Sequence, residues 1–162
     1  QASMTTAGAF LSICLMFIGG SPGGVAGGIK TTTIAAILVG TKNEIKGSED
    51  SPIFNRNIPA ETIHKAFMIF MSAFLWCVVV VFILSITDPQ VSLLDNIYEV
   101  VSAFGTVGLT RNVTPGLSEI GEVIISATML YGKLGPLTVL YAVSPHERKP
   151  LSRKAEEKIL VG

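Results

Sequence analysis

The sequence predicts an all-α membrane protein: one plain spanning helix, one long helix broken at its middle, and a short helix that dips in and out from one side. Three observations carry this expectation. Charged residues make up only 15% of the 162, where a soluble domain would carry about a quarter. The shortfall is concentrated, since residues 1–29 and 66–87 hold no charge and 123–143 hold only Lys133. The ten residues from Gly19 to Gly28 contain six glycines and a proline inside an apolar run.

Segment one runs from about Met4 to Val39. A straight helix of that length would reach about 54 Å, well beyond the hydrocarbon core of roughly 30 Å. Its middle cannot hold a regular helix, because glycine costs about 1 kcal/mol against alanine and proline about 3. Two helices joined by irregular backbone at membrane depth are expected. Such backbone is tolerated only where it faces protein or lines a watery cavity. The chain opens at Gln1 already within the apolar run, so no signal peptide is expected and the sequence reads as part of a longer chain.

Residues 41–65 are polar and broken by Gly47, Pro52 and Pro59, and are expected to form a loop with at most a short turn. Segment two, Ala66 to Ile86, is the plain spanning helix, ended by Asp88 and Pro89. Val91 to Phe104 is amphipathic and too short to span, with Ser92 to Ala103 the expected short helix. Gly105 to Thr114 is rich in Gly and Thr. Segment three begins near Pro115 and runs to Val143, and the tail 144–162 is charged. Basic residues orient the chain. Lys42, Lys46, Arg56 and Lys65 mark 41–65 as cytoplasmic, as Arg148, Lys149, Arg153, Lys154 and Lys158 mark the tail, while 88–122 holds only Arg111 and faces outward.

Composition excludes several functions. Net charge is zero, and no basic strip with interleaved aromatics suggests nucleic acid. No catalytic arrangement or metal cluster is legible, so no enzyme and no cofactor are expected. Cys14 and Cys77 lie in apolar runs and match neither a disulfide framework nor a zinc pattern. GGVAGGIKTT resembles a phosphate-binding loop only superficially, because Ile29 stands between Gly28 and Lys30 and no strand precedes it.

Thr106-Val107-Gly108 closes the short helix. Carbonyl-lined cation filters use such a triplet, glycine allowing the angles that turn oxygens toward an axis. The end of the short helix would add about half a negative charge near the ion. The triplet alone does not separate a filter from an ordinary outer loop. Glu99 would support that loop from behind or face the outer water. With Asp88, Asp95, Glu119 and Glu122 it makes five acids against one base in the outer segment, a mouth that would concentrate cations modestly. Lys133 lies at membrane depth, where a charge is functional or paired by default.

Three runs carry a family resemblance. SAFGTVGLT, Ser102 to Thr110, is similar to the fourth pore loop of the Trk/Ktr/HKT superfamily of potassium transporters. MFIGGSPGGVAGGIKTTT, Met16 to Thr33, resembles the broken helix of that family's third repeat, and YGKLGPLT, Tyr131 to Thr138, its last transmembrane helix. The resemblance implies four helix–pore loop–helix repeats in one chain. Residues 1–40 would then be the closing helix of the third repeat and 66–143 the complete fourth, with a re-entrant pore helix. Thr106, Val107, Gly108 and Leu109 would form the ion filter, with K+ at the backbone of Thr106, Val107 and Gly108. Gly19, Gly20, Ser21, Pro22, Gly23, Gly24, Val25, Ala26, Gly27 and Gly28 would form an intramembrane gate loop. Lys133 stands where the family usually has arginine reaching toward that loop, and would act as its latch. A homodimer in the plasma (inner) membrane is implied, with a cytoplasmic ring of nucleotide-binding regulatory subunits. Potassium is the implied substrate, with sodium or proton coupling left open. Two other classes compete: a secondary transporter with a midplane substrate site at the broken helix, and a non-conducting structural membrane subunit.

Overall fold

The computed structural model describes residues 4–46, 52–53, 56–136 and 138. Among the described residues there are five α-helices: α1 (Thr6–Phe17), α2 (Thr31–Lys46), α3 (Ala60–Thr87), α4 (Leu93–Gly105) and α5 (Glu119–Leu134). A 3-10 turn at Thr114–Gly116 precedes α5, and a two-residue antiparallel pair, β1 (Pro52–Ile53) with β2 (Arg56–Asn57), lies between α2 and α3. This is an all-α membrane fold. Among the described residues only α3 is long and apolar enough to cross a bilayer, and its 28 residues span about 42 Å.

The broken helix is present as read, with irregular backbone from Ile18 to Lys30 between α1 and α2. Three helix limits differ from the sequence reading. The stretch 41–65 is not a loop throughout, because α2 continues to Lys46 and α3 begins at Ala60. Residues 41–46 are polar but contain no glycine or proline, so nothing stops the helix there. At the other side Pro59 takes the N-cap position, and Glu61 pairs with Lys65 at 2.7 Å one turn later. The third segment starts at Glu119 rather than near Pro115, which sits inside the 3-10 turn. Ser118 caps α5 by accepting from the Gly121 amide at 3.1 Å. The expected end at Val143 and the tail 144–162 lie outside the described residues.

Helix α4 is the centre of the molecule. Its residues from Tyr98 to Gly105 are all buried, with α1, α3 and α5 packed around it. Val100, Ala103 and Phe104 join Ala73, Cys77, Val80 and Leu84 of α3, Ile125 and Tyr131 of α5, and Ile29 in one core. Tyr98 and Val101 pack with Ala9 and Met16 of α1. The outer surface is apolar too: Phe67, Phe74, Leu75 and Phe82 of α3, and Phe10 and Leu15 of α1, are exposed. A large exposed apolar surface around a packed centre suits lipid rather than water.

Polar bonds and close backbone approach join these helices, as expected where lipid supplies no hydrophobic drive. Trp76 stacks on Tyr131 with ring centroids 4.4 Å apart, and its Nε1 donates to Thr128 Oγ1 at 3.3 Å. The Ser72 and Tyr131 hydroxyls are 2.7 Å apart. At the outer end Asp88, fully buried, accepts from the Ser118 amide at 2.7 Å, Ser118 Oγ at 3.0 Å and Thr87 Oγ1 at 2.8 Å. Burial pushes its carboxyl up, but the bonds from Thr87, Ser118 and Gln90 outweigh that and hold it below the usual range. Gly132 lets α5 rest on the end of α4. A Cβ at this position would lie 1.9 Å from the Phe104 carbonyl oxygen.

Gly132→Ala in the full-length protein must push α5 off the Phe104 carbonyl, and overpacking of this kind costs about 1–3 kcal/mol. A clear drop in melting temperature is expected in detergent. Gly116→Ala, where a Cβ meets nothing within 4 Å, should leave it within a degree or so of wild type.

Candidate functional site

The site is where the two irregular stretches meet, at the buried end of α4. Thr106 follows the last helical residue with left-handed backbone, φ 53°. The Val107 amide donates to the Ser102 carbonyl and the Thr106 amide to the Ala103 carbonyl, both at 3.0 Å. That pair of bonds is a Schellman ending, which normally recruits glycine at the left-handed position. A β-branched residue there is strained by about 1–2 kcal/mol. The chain then leaves the helix with Val107, Gly108 and Leu109 exposed. Gly108 has φ 79° and no atom within 4 Å of where a Cβ would sit. Its glycine is demanded by backbone angle, not by crowding.

The Gly-rich segment forms a loop with a closed neck and an exposed tip. At the neck, Ile18 and Ile29 form a parallel bridge. The Gly19 amide donates to the Ile29 carbonyl at 2.7 Å, and the Ile29 amide to the Phe17 carbonyl at 3.3 Å. Residues 21–26 are exposed, whereas 27–29 are buried. Three successive residues of the loop are bonded to side chains of three different parts of the chain. Lys133 Nζ, from α5, donates to the Val25 carbonyl at 2.5 Å. Lys30 Nζ, at the start of α2, donates to the Ala26 carbonyl at 2.5 Å. The Gly27 amide donates to Thr106 Oγ1 at 2.9 Å. The strained threonine thus has a partner that glycine would lack.

The structure therefore brings Thr106 against Gly27 and Lys133 against Val25. Val107, Gly108 and Leu109 are exposed. Two participants were missed by sequence reasoning. Lys30 was weighed only as part of a phosphate loop; its signal was a cation one turn after Ala26. The Thr106 hydroxyl had no sequence signal, because its role depends on which way the left-handed turn points it.

The outer acids are largely engaged. Asp88 is consumed in the tie to Ser118. Asp95 pairs with Arg111 at 2.6 Å. Glu99, buried, accepts from Thr110 Oγ1 at 2.8 Å and Thr114 Oγ1 at 2.5 Å, so it lies behind the loop rather than in outer water. Glu119 and Glu122 remain exposed. A strongly acidic mouth does not follow from this fragment.

Comparison with known proteins gives the family. A family model described as "TrkH: Cation transport protein" matches residues 2–152. The potassium/sodium uptake protein NtpJ of Enterococcus hirae is 37% identical over 98% of this chain and 36% of its own length. The Ktr system potassium uptake protein D of Bacillus subtilis is 36% identical over 94% of this chain and 34% of its own. The Ktr system potassium uptake protein B of Vibrio alginolyticus is 32% identical over 94% and 33% respectively. The chain spans about a third of the length of these relatives.

Thr106→Val keeps the shape of the side chain and deletes the acceptor for Gly27. Loss of one such bond costs about 1 kcal/mol. Amide exchange in the peptide covering residues 19–28, read by mass spectrometry on the full-length protein, should become severalfold faster.

Proposed function

The chain belongs to the TrkH cation transport protein family, and on that premise we propose that it forms one quarter of a potassium pore together with the loop that gates it. Residues 66–143 supply the fourth helix–pore loop–helix repeat, with α4 as the re-entrant pore helix. Residues 1–40 supply the closing helix of the third repeat. The observation that carries this reading is the hydrogen bond from Gly27 of the Gly-rich loop to Thr106 at the buried end of α4.

Each part has a physical task. Residues 106–109 form the filter segment, and the backbone carbonyls of Thr106, Val107 and Gly108 replace part of the hydration shell of K+. The C-terminal end of α4 contributes partial negative charge from the same side. The loop Gly19–Gly28 lies under the filter as the gate, its tip held by Lys133 and Lys30 and its buried return by Thr106. Lys133 is the latch and places a positive charge by the ion path when the loop is down. Lysine lacks the fork of arginine, which fits a single bond to Val25. The protein lies in the plasma membrane with 41–65 and the tail in the cytoplasm. It works as a homodimer with a nucleotide-binding regulatory ring; relatives named as parts of a Ktr system support a partner subunit.

Potassium uptake by the full-length protein in a transport-deficient host tests this reading, and no uptake by correctly inserted protein would refute it. Gly108→Ser forces a side chain onto a backbone at φ 79°. Preference for K+ over Na+ should fall, whereas an unchanged preference would place the filter elsewhere. Lys133→Ala takes the donor from the Val25 carbonyl. Flux per inserted molecule should rise severalfold, and Lys133→Arg should keep it low. Equal normalised flux in wild type and Lys133→Ala would remove the latch.

A further inference from the structure

The outgoing half of the loop after Gly108 has little to rest on. Behind it lies a cavity of about 180 Å³, lined by Glu99, Ser102, Gly108, Thr110, Thr114 and Met129 among others. Apolar packing against α4 therefore does not fix residues 108–110. Hydrogen bonds do. The Glu99 carboxylate, 6% exposed, uses one oxygen for Thr110 Oγ1 at 2.8 Å and the other for Thr114 Oγ1 at 2.5 Å. Thr110 Oγ1 also accepts from the Val113 amide at 3.3 Å. One turn earlier on α4, Asp95 holds Arg111 at 2.6 Å, a second tie to the same outgoing strand.

We propose that Glu99 is a positioning residue for cation selectivity, holding the loop two residues beyond Gly108 at a fixed distance from α4 through Thr110 and Thr114. This rests on the filter reading above and deepens it. The filter segment is anchored at its start by the Schellman ending at Thr106. Its other end is anchored by the Glu99 carboxylate across the cavity. With both ends fixed, the carbonyls of the intervening residues keep their spacing as an ion sheds water. With the second anchor gone, the loop relaxes toward the empty space behind it, and the carbonyl cage loosens for potassium and sodium alike.

The test is competitive K+ and Na+ uptake by full-length protein, normalised to inserted amount, with melting temperature measured in parallel. Glu99→Ala and Thr110→Val should each lower K+ preference severalfold. Glu99→Gln should stay near wild type, because the amide keeps the reach and can still bond both hydroxyls. In a Thr110→Val background Glu99→Ala should lower the preference by less than it does alone, since only the Thr114 bond is then left to lose. If Glu99→Ala does not insert, Thr110→Val breaks the same bond from the loop side. Gly108→Ser separates the two readings. A shifted preference in Gly108→Ser with wild-type preference in Glu99→Ala or Thr110→Val overturns the role of Glu99 and leaves the filter in place. Wild-type preference in all of them removes the filter assignment itself. A loss in Glu99→Gln equal to that in Glu99→Ala overturns positioning in favour of the bare charge.

Discussion

Backbone polar groups within a bilayer must find their partners inside the protein, and this constraint organises the whole molecule. Two stretches of the chain break helical bonding at depth: residues 18–30 and the turn after α4. Neither could stand alone against lipid. The fold sets them face to face, so that each satisfies part of the other. The Gly27 amide finds the Thr106 hydroxyl, and two lysines answer the carbonyls of Val25 and Ala26. Val107, Gly108 and Leu109 stay exposed beyond this contact.

The same constraint explains why a thirteen-residue helix, rather than a spanning one, is the core. Helix α4 is enclosed by α1, α3 and α5, and its buried end approaches both neighbours at backbone distance. Gly132 admits the Phe104 carbonyl on one side, and Gly105 admits the Met16 carbonyl on another, where a Cβ would come within 2.7 Å. Small residues at such crossings supply the close packing that replaces hydrophobic drive between helices in lipid. The apolar payload is turned outward instead, on α3 above all.

Much of this was legible in the sequence because it followed from composition over long windows. The charge-free runs gave the membrane class, the Gly-Pro cluster gave the break, and the short amphipathic segment gave α4 within two residues. The depth of Lys133 pointed to a partner, and its partner is a loop carbonyl. Polarity misled at 41–46 and 60–65, where it was read as loop although no breaker was present. The roles of Asp88, Glu99 and Lys30 were not separable from those of ordinary surface charges. Burial decides that, and burial depends on which turn of which helix faces inward. Thr106 was harder still, because its side chain matters only through a backbone angle that threonine rarely adopts.

Asp88 ties the end of α3 to the beginning of α5 through two donors on Ser118, while Thr87 and Gln90 bond its carboxylate locally. The two long helices are thus pinned like the arms of a pair of tongs at their outer joint. A pinned joint turns any rigid motion of one arm into leverage, with displacement growing along its length. For rigid helices the lever arm is shortest beside Asp88 and longest at the opposite end, where α5 carries Lys133 and α3 begins. A small pull applied there would translate into withdrawal of an ammonium group from Val25, while the outer joint and the turn beside it stay where they are.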